Sequence, residues 1–399
     1  MNKFKHIDSV CASEPKLQVF TQSHKSPLYL SSTFQFESVE QGIDIFQHQP
    51  GHHVYTRYGN PGIEAVAQKI ADLETFPYPG TASGILTSSG MAAIHVVIQS
   101  LLDPGDVLIT QGNLYGGTTE LFEKVVKKSG IQLEIIDLRN VERVEKVLQE
   151  YHGRKKCLFL ETPSNPTLSC LDLKSLVGLS KNYHAFTIVD NTFATPILQK
   201  PILLGADMVI HSTTKYLHGH GLSTGGVVVI KNPSLHHQKV WEVMKLTGCN
   251  SNPFDAWLIN LGLKTLALRI RQQSHTAQRL AEALNGEAAF SMVNYPGLPD
   301  SPDHAIASTQ MELFGAMISF EVGRNQEDAI AFCNKLNLCS IAPSLGETDT
   351  MVLHPASMSH VKVPKDVRLY YGITDNLVRL SVGLESPEDI LDDILQAAR

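Results

Sequence analysis

The sequence lacks a long apolar run. No stretch of its 399 residues approaches the roughly 20 consecutive apolar residues that a membrane-spanning helix needs. The N-terminal residues 1–13 are polar and lack the apolar core of a secretory signal peptide. We therefore expect no association with a membrane and a cytoplasmic location.

Paired cysteines and basic runs are also missing. The six cysteines are scattered and form no C-x-x-C pair, which predicts free thiols in a reducing compartment: Cys11, Cys157, Cys170, Cys249, Cys333 and Cys339. The formal net charge is -7, and no run of lysine and arginine is long enough to follow a phosphate backbone. Nucleic acid is therefore not an expected partner.

Three pairs of histidines raise the question of a metal site: His52 with His53, His218 with His220, and His236 with His237. None of these pairs is accompanied by a set of cysteines or carboxylates at the spacing of metal ligands. The sequence therefore predicts no bound metal.

The length of the chain predicts two packed units, one larger and one smaller. Residues 1–61 show no sustained periodicity and contain many turn-forming residues, so we interpret them as an arm that packs on another surface. Residues 62–253 form the predicted main domain, which opens with an amphipathic helix. Residues 254–399 form a predicted smaller α+β domain, with a long helical stretch through Leu284 followed by β-rich segments at 316–322 and 377–382.

Short apolar runs alternate with helical segments in the main domain. The runs are typical of strands buried on both faces, and they lie at 84–87, 107–110, 133–136, 158–160, 186–189, 208–210 and 227–230. Helices are predicted between them at 91–102, 118–128 and 141–151. This alternation predicts an α/β fold with a doubly wound, mostly parallel sheet.

Ligands of such a sheet bind at the carboxyl ends of its strands, so the residues after each run are candidates. Lys215 follows the run 208–210; its amine can form an imine with an aldehyde, and the hydroxyls of Ser212 and Thr214 can bind a phosphate. Asp190 follows the run 186–189, and its carboxylate can pair with a protonated pyridine nitrogen. Taken singly, a lysine at a strand end is usually a solvated surface charge, and an aspartate there is about as often a turn or helix-capping residue.

Two more strand ends supply complementary groups. Ser89, Gly90 and Met91 open a helix after the run 84–87, where backbone amides form an anion site. Tyr115 follows the run 107–110, and stacking of its ring on a planar ligand contributes about 0.5–1.5 kcal/mol beyond burial. We therefore expect a single ligand site at the carboxyl ends of the strands, because these residues together supply a covalent anchor, a partner for a pyridinium, a phosphate site and a stacking ring.

In these residues the chain resembles the pyridoxal-phosphate enzymes of cysteine and methionine metabolism, which are called the transsulfuration family. The resemblance covers nearly the whole chain. Seven segments carry it in the order that the family has: Tyr55-Thr56-Arg57, Ser88-Ser89-Gly90-Met91, Glu161-Thr162-Pro163-Ser164-Asn165-Pro166, Val189-Asp190-Asn191-Thr192, Ser212-Thr213-Thr214-Lys215-Tyr216, Ser344-Leu345-Gly346 and Val378-Arg379-Leu380-Ser381-Val382-Gly383.

The resemblance implies a fold-type I enzyme that carries pyridoxal 5'-phosphate on Lys215. Tyr55 and Arg57 would reach from the arm into the site of a neighbouring subunit, and Arg57 would grip the cofactor phosphate. Asn165 would face the cofactor ring or the substrate, while Ser344 and Arg379 would hold the α-carboxylate of the substrate. Family members are typically homotetramers, built from dimers that share their active sites.

The expected cycle uses three of these side chains. Lys215 is displaced by the substrate amine and then acts as the base at Cα, Asp190 keeps the cofactor ring cationic, and Tyr115 assists departure of the thiol as a general acid.

Two reactions are compatible with this resemblance. We favour a carbon-sulfur lyase that eliminates thiol, 2-oxo acid and ammonia from methionine or cystathionine. The alternative is a γ-replacement synthase of the cystathionine γ-synthase or O-acetylhomoserine sulfhydrylase type. Pro343 stands where the cystathionine γ-enzymes usually carry glutamate, and Gly117 where methionine γ-lyases usually carry cysteine, whereas residues 353–360 resemble methionine γ-lyases.

Two more distant interpretations fit the sequence less well. A nicotinamide-dependent dehydrogenase would share the predicted sheet, but no G-x-G-x-x-G follows the first strand. A non-catalytic scaffold would be expected to have lost Lys215 or Asp190, and both are present.

Overall fold

The structure is a computed structural model that describes residues 5–13, 23–47 and 52–399. Parts of the predicted arm, residues 1–4, 14–22 and 48–51, lie outside the described residues. The helices are α1 (Ile7–Ala12), α2 (Val39–Phe46), α3 (Pro61–Glu74), α4 (Gly90–Leu101), α5 (Gly116–Leu121), α6 (Val141–Glu150), α7 (Leu173–Asn182), α8 (Thr195–Leu198), α9 (Pro201–Leu204), α10 (Pro233–Thr247), α11 (Pro253–Leu263), α12 (Leu266–Asn285), α13 (His304–Gln310), α14 (Gln326–Lys335), α15 (Lys365–Tyr370) and α16 (Pro387–Ala397).

Seven strands form the larger sheet: β1 (Ser83–Thr87), β2 (Val107–Thr110), β3 (Gln132–Ile135), β4 (Lys156–Glu161), β5 (Ala185–Asp190), β6 (Met208–His211) and β7 (Gly226–Ile230). Their order in the sheet is β1-β7-β6-β5-β4-β2-β3. β7 runs antiparallel to both of its neighbours, and the other neighbouring pairs are parallel. The predicted mostly parallel sheet is therefore confirmed, with every predicted strand within a few residues of its position.

Apolar side chains cover both faces of this sheet. One layer of the core includes α3 and α7, and the other includes α4 and α10. The side chains of β4 and β6 are buried throughout because these strands are central. β3 differs from the prediction: its residues are partly or fully exposed, because it is the edge strand of the sheet.

A smaller sheet follows in the C-terminal part of the chain. It contains β8 (Phe290–Asn294), β9 (Met317–Val322), β10 (Ser340–Ile341), β11 (Met351–Leu353) and β12 (Leu377–Ser381) in the order β10-β11-β12-β9-β8. β10 and β11 pair in parallel and the other neighbours pair antiparallel. The two β-rich segments of the sequence analysis correspond to β9 and β12.

A long helical stretch is predicted from about residue 254 through Leu284, but the structure divides it into two helices, α11 and α12. Arg269, in the first turn of α12, lies close to the point where the two helices meet. It donates to the carbonyl oxygens of Gly262 at 2.8 Å and of Tyr216 at 2.9 Å. The hydrogen bond to Tyr216 thus ties α12 to the loop that carries Lys215.

The arm contains two helices that the sequence did not predict, α1 and α2. The ammonium group of Lys69, on α3, donates to the carbonyl oxygen of Cys11 at 2.7 Å, and Arg271 pairs with Asp8 at 2.6 Å. These polar contacts join α1 to distant helices, and its apolar residues Ile7, Val10 and Cys11 are buried in the core beside them. Among the described residues, no helix combines the length and the apolar character needed to cross a membrane.

Candidate active site

A cavity of about 1450 Å³ lies at the carboxyl ends of the parallel strands, between the larger sheet and the C-terminal part of the chain. It is larger than most small-molecule sites, which measure about 300–1000 Å³. Ten residues predicted for the site line it: Ser89, Gly90, Met91, Tyr115, Asn165, Asp190, Ser212, Thr214, Lys215 and Arg379. Because they come from both sheets, the fold brings together residues nearly 300 positions apart.

Lys215 projects into the cavity from the loop after β6. Its Nζ donates to Ser344 Oγ at 3.1 Å, so Ser344 contacts the site although it does not line the cavity. Burial and the nearby charge of Arg379 lower the pKa of the Lys215 amine to about 8, against a smaller opposing effect of Glu347. An amine with this pKa is substantially neutral near pH 8 and can attack a carbonyl carbon.

Asp190 ends β5 and faces the same cavity. The backbone amide of Thr192 donates to Asp190 Oδ1 at 3.0 Å, and the Thr192 hydroxyl donates to the same oxygen. Burial raises the pKa of Asp190, while the hydrogen bonds from Thr192 favour the ionised form. A bound cation such as a pyridinium would compensate the buried charge, since buried carboxylates require a charged or hydrogen-bonded partner.

Glu161 is a site residue for which sequence reasoning gave no role, although it lies in one of the segments that carry the resemblance. It pairs with Asp190 across β4 and β5. Its two oxygens accept hydrogen bonds from the backbone amides of Tyr115 and Asn165, both at 2.9 Å. Burial and the Asp190 charge raise the pKa of Glu161 to about 8. One carboxyl group thus positions the two loops that carry Tyr115 and Asn165.

The N-terminus of α4 provides an anion site beside Lys215. Ser89 caps this helix, its Oγ accepting from the Ala92 amide at 3.0 Å. A Cβ atom on Gly90 would lie 2.8 Å from the Ser212 Cβ, so only glycine lets these two loops approach so closely. The Thr214 hydroxyl donates to the Gly225 carbonyl at 3.2 Å, and a contact to phosphate would require that bond to be exchanged.

Arg379, on β12, is buried and lines the cavity. Its guanidinium donates to Asn165 Oδ1 at 3.0 Å and to the Ser344 carbonyl oxygen at 2.9 Å. The buried Nε finds no hydrogen-bond partner among the described residues. Burial lowers the pKa of Arg379 to about 10, so the group stays protonated at neutral pH. A buried guanidinium with an unused donor fits an anionic ligand group such as a carboxylate.

The Tyr115 ring lies at the cavity with 45% of its surface exposed. A Cβ atom on Gly117 would come within 2.6 Å of the ring atom Cε1. The cysteine expected at this position in methionine γ-lyases would therefore require a different position of the Tyr115 ring.

Tyr55 and Arg57 lie outside the cavity of their own chain. Arg57 donates to the Lys245 carbonyl oxygen at 2.6 Å, and its guanidinium lies 5.0 Å from the centre of the Tyr58 ring. The predicted contact of Tyr55 and Arg57 with a neighbouring subunit stays a prediction. Among the described residues, no cluster of three or more potential metal ligands occurs.

The fold and the site define the class of fold-type I pyridoxal-phosphate enzymes. The capped helix N-terminus with Gly90 suits the phosphate, Asp190 suits the ring nitrogen, and the Lys215 amine suits the aldehyde.

Comparison with known proteins gives the family. The family model "Cys/Met metabolism PLP-dependent enzyme" matches residues 9–399, so the chain belongs to this family. The cystathionine beta-lyase of Lactococcus lactis subsp. cremoris is 42% identical over 93% of each chain. The L-methionine gamma-lyase of Fusobacterium nucleatum subsp. polymorphum is 42% identical over 93% of this chain and 92% of that one. The cystathionine gamma synthase of Xanthomonas oryzae pv. oryzae has a TM-score of 0.91 and 36% identity over 98% of this chain and 97% of that one.

The family membership confirms two predictions: pyridoxal phosphate is the cofactor, and the chain is an enzyme of sulfur amino-acid metabolism with lyases among its relatives. It also removes the nicotinamide-dependent dehydrogenase as an alternative.

Capture of the cofactor by the apoenzyme is expected to depend on pH. Only the neutral amine attacks an aldehyde, so the rate of covalent attachment should rise with pH through about 8 and level off above it, well below the ordinary lysine pKa near 10.5. Borohydride trapping at a series of pH values measures this rate. A midpoint near the ordinary lysine pKa would contradict the environment described for Lys215.

Proposed function

We propose that the chain is a pyridoxal-phosphate-dependent carbon-sulfur lyase that eliminates thiol, 2-oxo acid and ammonia from methionine or cystathionine. The convergence of Lys215, Asp190 and Arg379 on one cavity carries this proposal. Relatives named as lyases, at 42% identity over 93% of the chain, support elimination over replacement.

Two side chains and the N-terminus of α4 bind and orient the substrate and the cofactor. Arg379 binds the α-carboxylate of the substrate, because its buried Nε is free to donate. Asn165 is held beside it by the Arg379 guanidinium and by Glu161, so it faces the same substrate group. The N-terminus of α4, with Ser89, Gly90 and Met91, binds the cofactor phosphate, and the hydroxyls of Ser212 and Thr214 lie beside it.

Proton transfer is assigned to two residues. When bound, pyridoxal phosphate supplies an electron sink conjugated to Cα of the substrate. Lys215 would hold the cofactor, and its neutral amine, which Ser344 Oγ orients at 3.1 Å, would remove the Cα proton of the substrate; cleavage at the γ carbon requires that a second proton also leave Cβ. Tyr115, which lines the cavity, would deliver a proton to the departing sulfur, and Asp190 would keep the ring nitrogen protonated.

A product assay on the holoenzyme tests this proposal. Methionine or cystathionine should yield stoichiometric thiol, 2-oxo acid and ammonia, and the carbon count of the oxo acid identifies cleavage at the β or the γ carbon. An enzyme that releases none of these, but condenses an activated homoserine with sulfide or cysteine, would be the synthase alternative.

We further propose that the enzyme is a homotetramer built from dimers that share active sites. The chain would divide into an arm (residues 1–61), a cofactor-binding domain (62–253) and a C-terminal domain (254–399). Apolar side chains on the arm support an interaction with another subunit, since Leu30 is 72% exposed and Phe46 is 60% exposed. In this assembly Tyr55 and Arg57 complete the neighbouring site, and Arg57 binds the cofactor phosphate there.

Mixing two inactive variants tests the shared site. The Arg57→Ala and Lys215→Ala proteins should each be nearly inactive. After they are unfolded and reassembled together, about half of the dimers should be mixed, and each mixed dimer should carry one intact site of two. The mixture should therefore regain up to about a quarter of the wild-type activity per site. Activity is measured as oxo acid release, and the mixed dimers are verified by differential tagging. Verified mixed dimers without activity would place Arg57 in the site of its own subunit.

A further inference from the structure

A group of buried polar side chains lies next to the active site but outside the cavity, and the proposed mechanism gives it no role. It consists of Glu74, Asn191, Gln199 and His211, which are all buried and do not line the cavity. Buried polar side chains are as a rule hydrogen-bonded, so their partners show which parts of the fold they hold together.

Glu74, the last residue of α3, joins the ends of two strands through one oxygen atom. Asn191 Nδ2 donates to Glu74 Oε1 at 3.0 Å, and His211 Nε2 lies 2.6 Å from the same oxygen. Asn191 directly follows Asp190 at the end of β5, and His211 ends β6 just before the loop that carries Lys215. Glu74 therefore connects the two segments from which Asp190 and Lys215 enter the cavity.

The same two segments are joined a second time on the cavity side. The Thr192 hydroxyl, which donates to Asp190 Oδ1, accepts from the backbone amide of Ser212 at 2.9 Å. Thr192 and Ser212 both line the cavity, whereas Glu74 does not. Because the two connections lie at different places, together they restrict rotation of one segment against the other.

Gln199 extends this network to a third loop. Its Nε2 donates to Asn191 Oδ1 at 2.9 Å and to the Thr162 carbonyl oxygen at 3.1 Å, and Asn191 Nδ2 donates to the Gln199 carbonyl oxygen at 2.9 Å. Thr162 directly follows β4, on the loop that carries Asn165. The network thus connects the ends of three neighbouring parallel strands, β4, β5 and β6.

We propose that Glu74 is a positioning residue of the reaction, which keeps Asp190 and Lys215 aligned on one cofactor by holding Asn191 and His211. This inference rests on the proposed roles of Asp190 and Lys215. Asp190 has to face the ring nitrogen while Lys215 faces the aldehyde and Cα, so the two side chains need a fixed relative position. A misplacement of about 1 Å is enough to lower a rate roughly 100-fold.

Glu74→Ala and Glu74→Gln in the holoenzyme test this role. We expect Glu74→Ala to lower kcat about 30-fold, since the Thr192–Ser212 contact still limits the displacement. KM should stay within about threefold, because Glu74 lies outside the cavity in which the substrate binds. Glu74→Gln should keep kcat within about threefold, because its amide oxygen can still accept from Asn191 and His211.

The cofactor reports the same alignment without any substrate. The visible circular dichroism of bound pyridoxal phosphate depends on how its ring is held, so Glu74→Ala should change it and Glu74→Gln should not. The Kd of the apoenzyme for pyridoxal phosphate should rise about tenfold in Glu74→Ala and stay near the wild-type value in Glu74→Gln.

Asp393→Ala is the matched control, because this buried carboxylate accepts from three backbone amides in the C-terminal part of the chain, outside the cavity. It should lower Tm and leave kcat and the dichroism of the cofactor unchanged. If Glu74→Ala folds and behaves like this control, the positioning role is wrong while the lyase function stands.

A second variant covers the case in which Glu74→Ala does not fold. Asn191→Ala removes one of the two contacts to Glu74, and it should lower kcat about tenfold and change the dichroism in the same direction. Wild-type kcat and dichroism in Asn191→Ala would overturn the positioning role. If the wild-type holoenzyme eliminates nothing from methionine or cystathionine, the proposed function itself fails, and the dichroism and the Kd for the cofactor still decide the role of Glu74.

Discussion

Lys215→Ala is expected to produce a folded protein whose rate of elimination falls by roughly 10,000-fold or more, because one side chain supplies both the covalent anchor of the cofactor and the base at Cα. Initial rates of thiol and oxo acid release measure this loss, and circular dichroism verifies the fold. The absorbance of the covalently bound cofactor should disappear as well.

Lys231→Ala is the matched control. Lys231 directly follows β7, a strand of the larger sheet that runs antiparallel to its neighbours. This lysine therefore lies at the end of the sheet opposite the carboxyl ends of the parallel strands, and it does not line the cavity. Its variant should keep wild-type rates. Steady turnover by Lys215→Ala at a rate near that of the control would remove Lys215 from the mechanism.

Asp190→Asn is expected to lower kcat roughly 100-fold, since breaking a buried pair of opposite charges costs about 3 kcal/mol. Asparagine retains the shape and the capacity to accept from Thr192, but it lacks the charge that keeps the ring nitrogen protonated. The fall in kcat therefore measures what the negative charge of Asp190 contributes to catalysis.

The measurement is kcat together with the Kd of the apoenzyme for pyridoxal phosphate. Asp207→Asn serves as a control, because Asp207 Oδ2 accepts from the Thr187 amide at 2.8 Å within the same sheet, outside the cavity. An Asp190→Asn enzyme with normal kcat would show that the ring nitrogen needs no ionic partner at this position.

The sequence predicted the larger sheet well because its central strands are buried on both faces and therefore appear as continuous apolar runs. It also predicted that Lys215 and Asp190 would lie at one cavity, since ligands of a parallel sheet collect where its strands end. The edge strand β3 departed from this pattern because one side of it has no neighbouring strand.

Features that depend on contacts between distant residues were not predictable in this way. The role of Glu161 follows from the register of β4 against β5, which places it beside Asp190, and a local pattern does not contain that register. Arg269, just after the break between α11 and α12, donates to the carbonyl oxygens of Gly262 and of Tyr216, and Tyr216 is more than 50 positions away in the chain. The single helix predicted over 118–128 is also wrong in part, because α5 ends at Leu121 and continues as a π turn, Phe122–Val126, and a 3₁₀ turn, Lys127–Ser129.

Lys215, on the loop after β6, is expected to hold pyridoxal phosphate in the cavity and to transfer the protons of the reaction. Borohydride reduction of the purified holoenzyme, followed by proteolysis and mass spectrometry of the peptides, tests this assignment. We expect one reduced cofactor per chain, attached to the peptide that contains Lys215. Attachment to another lysine, or no covalently attached cofactor in an enzyme that cleaves its substrate, would contradict it.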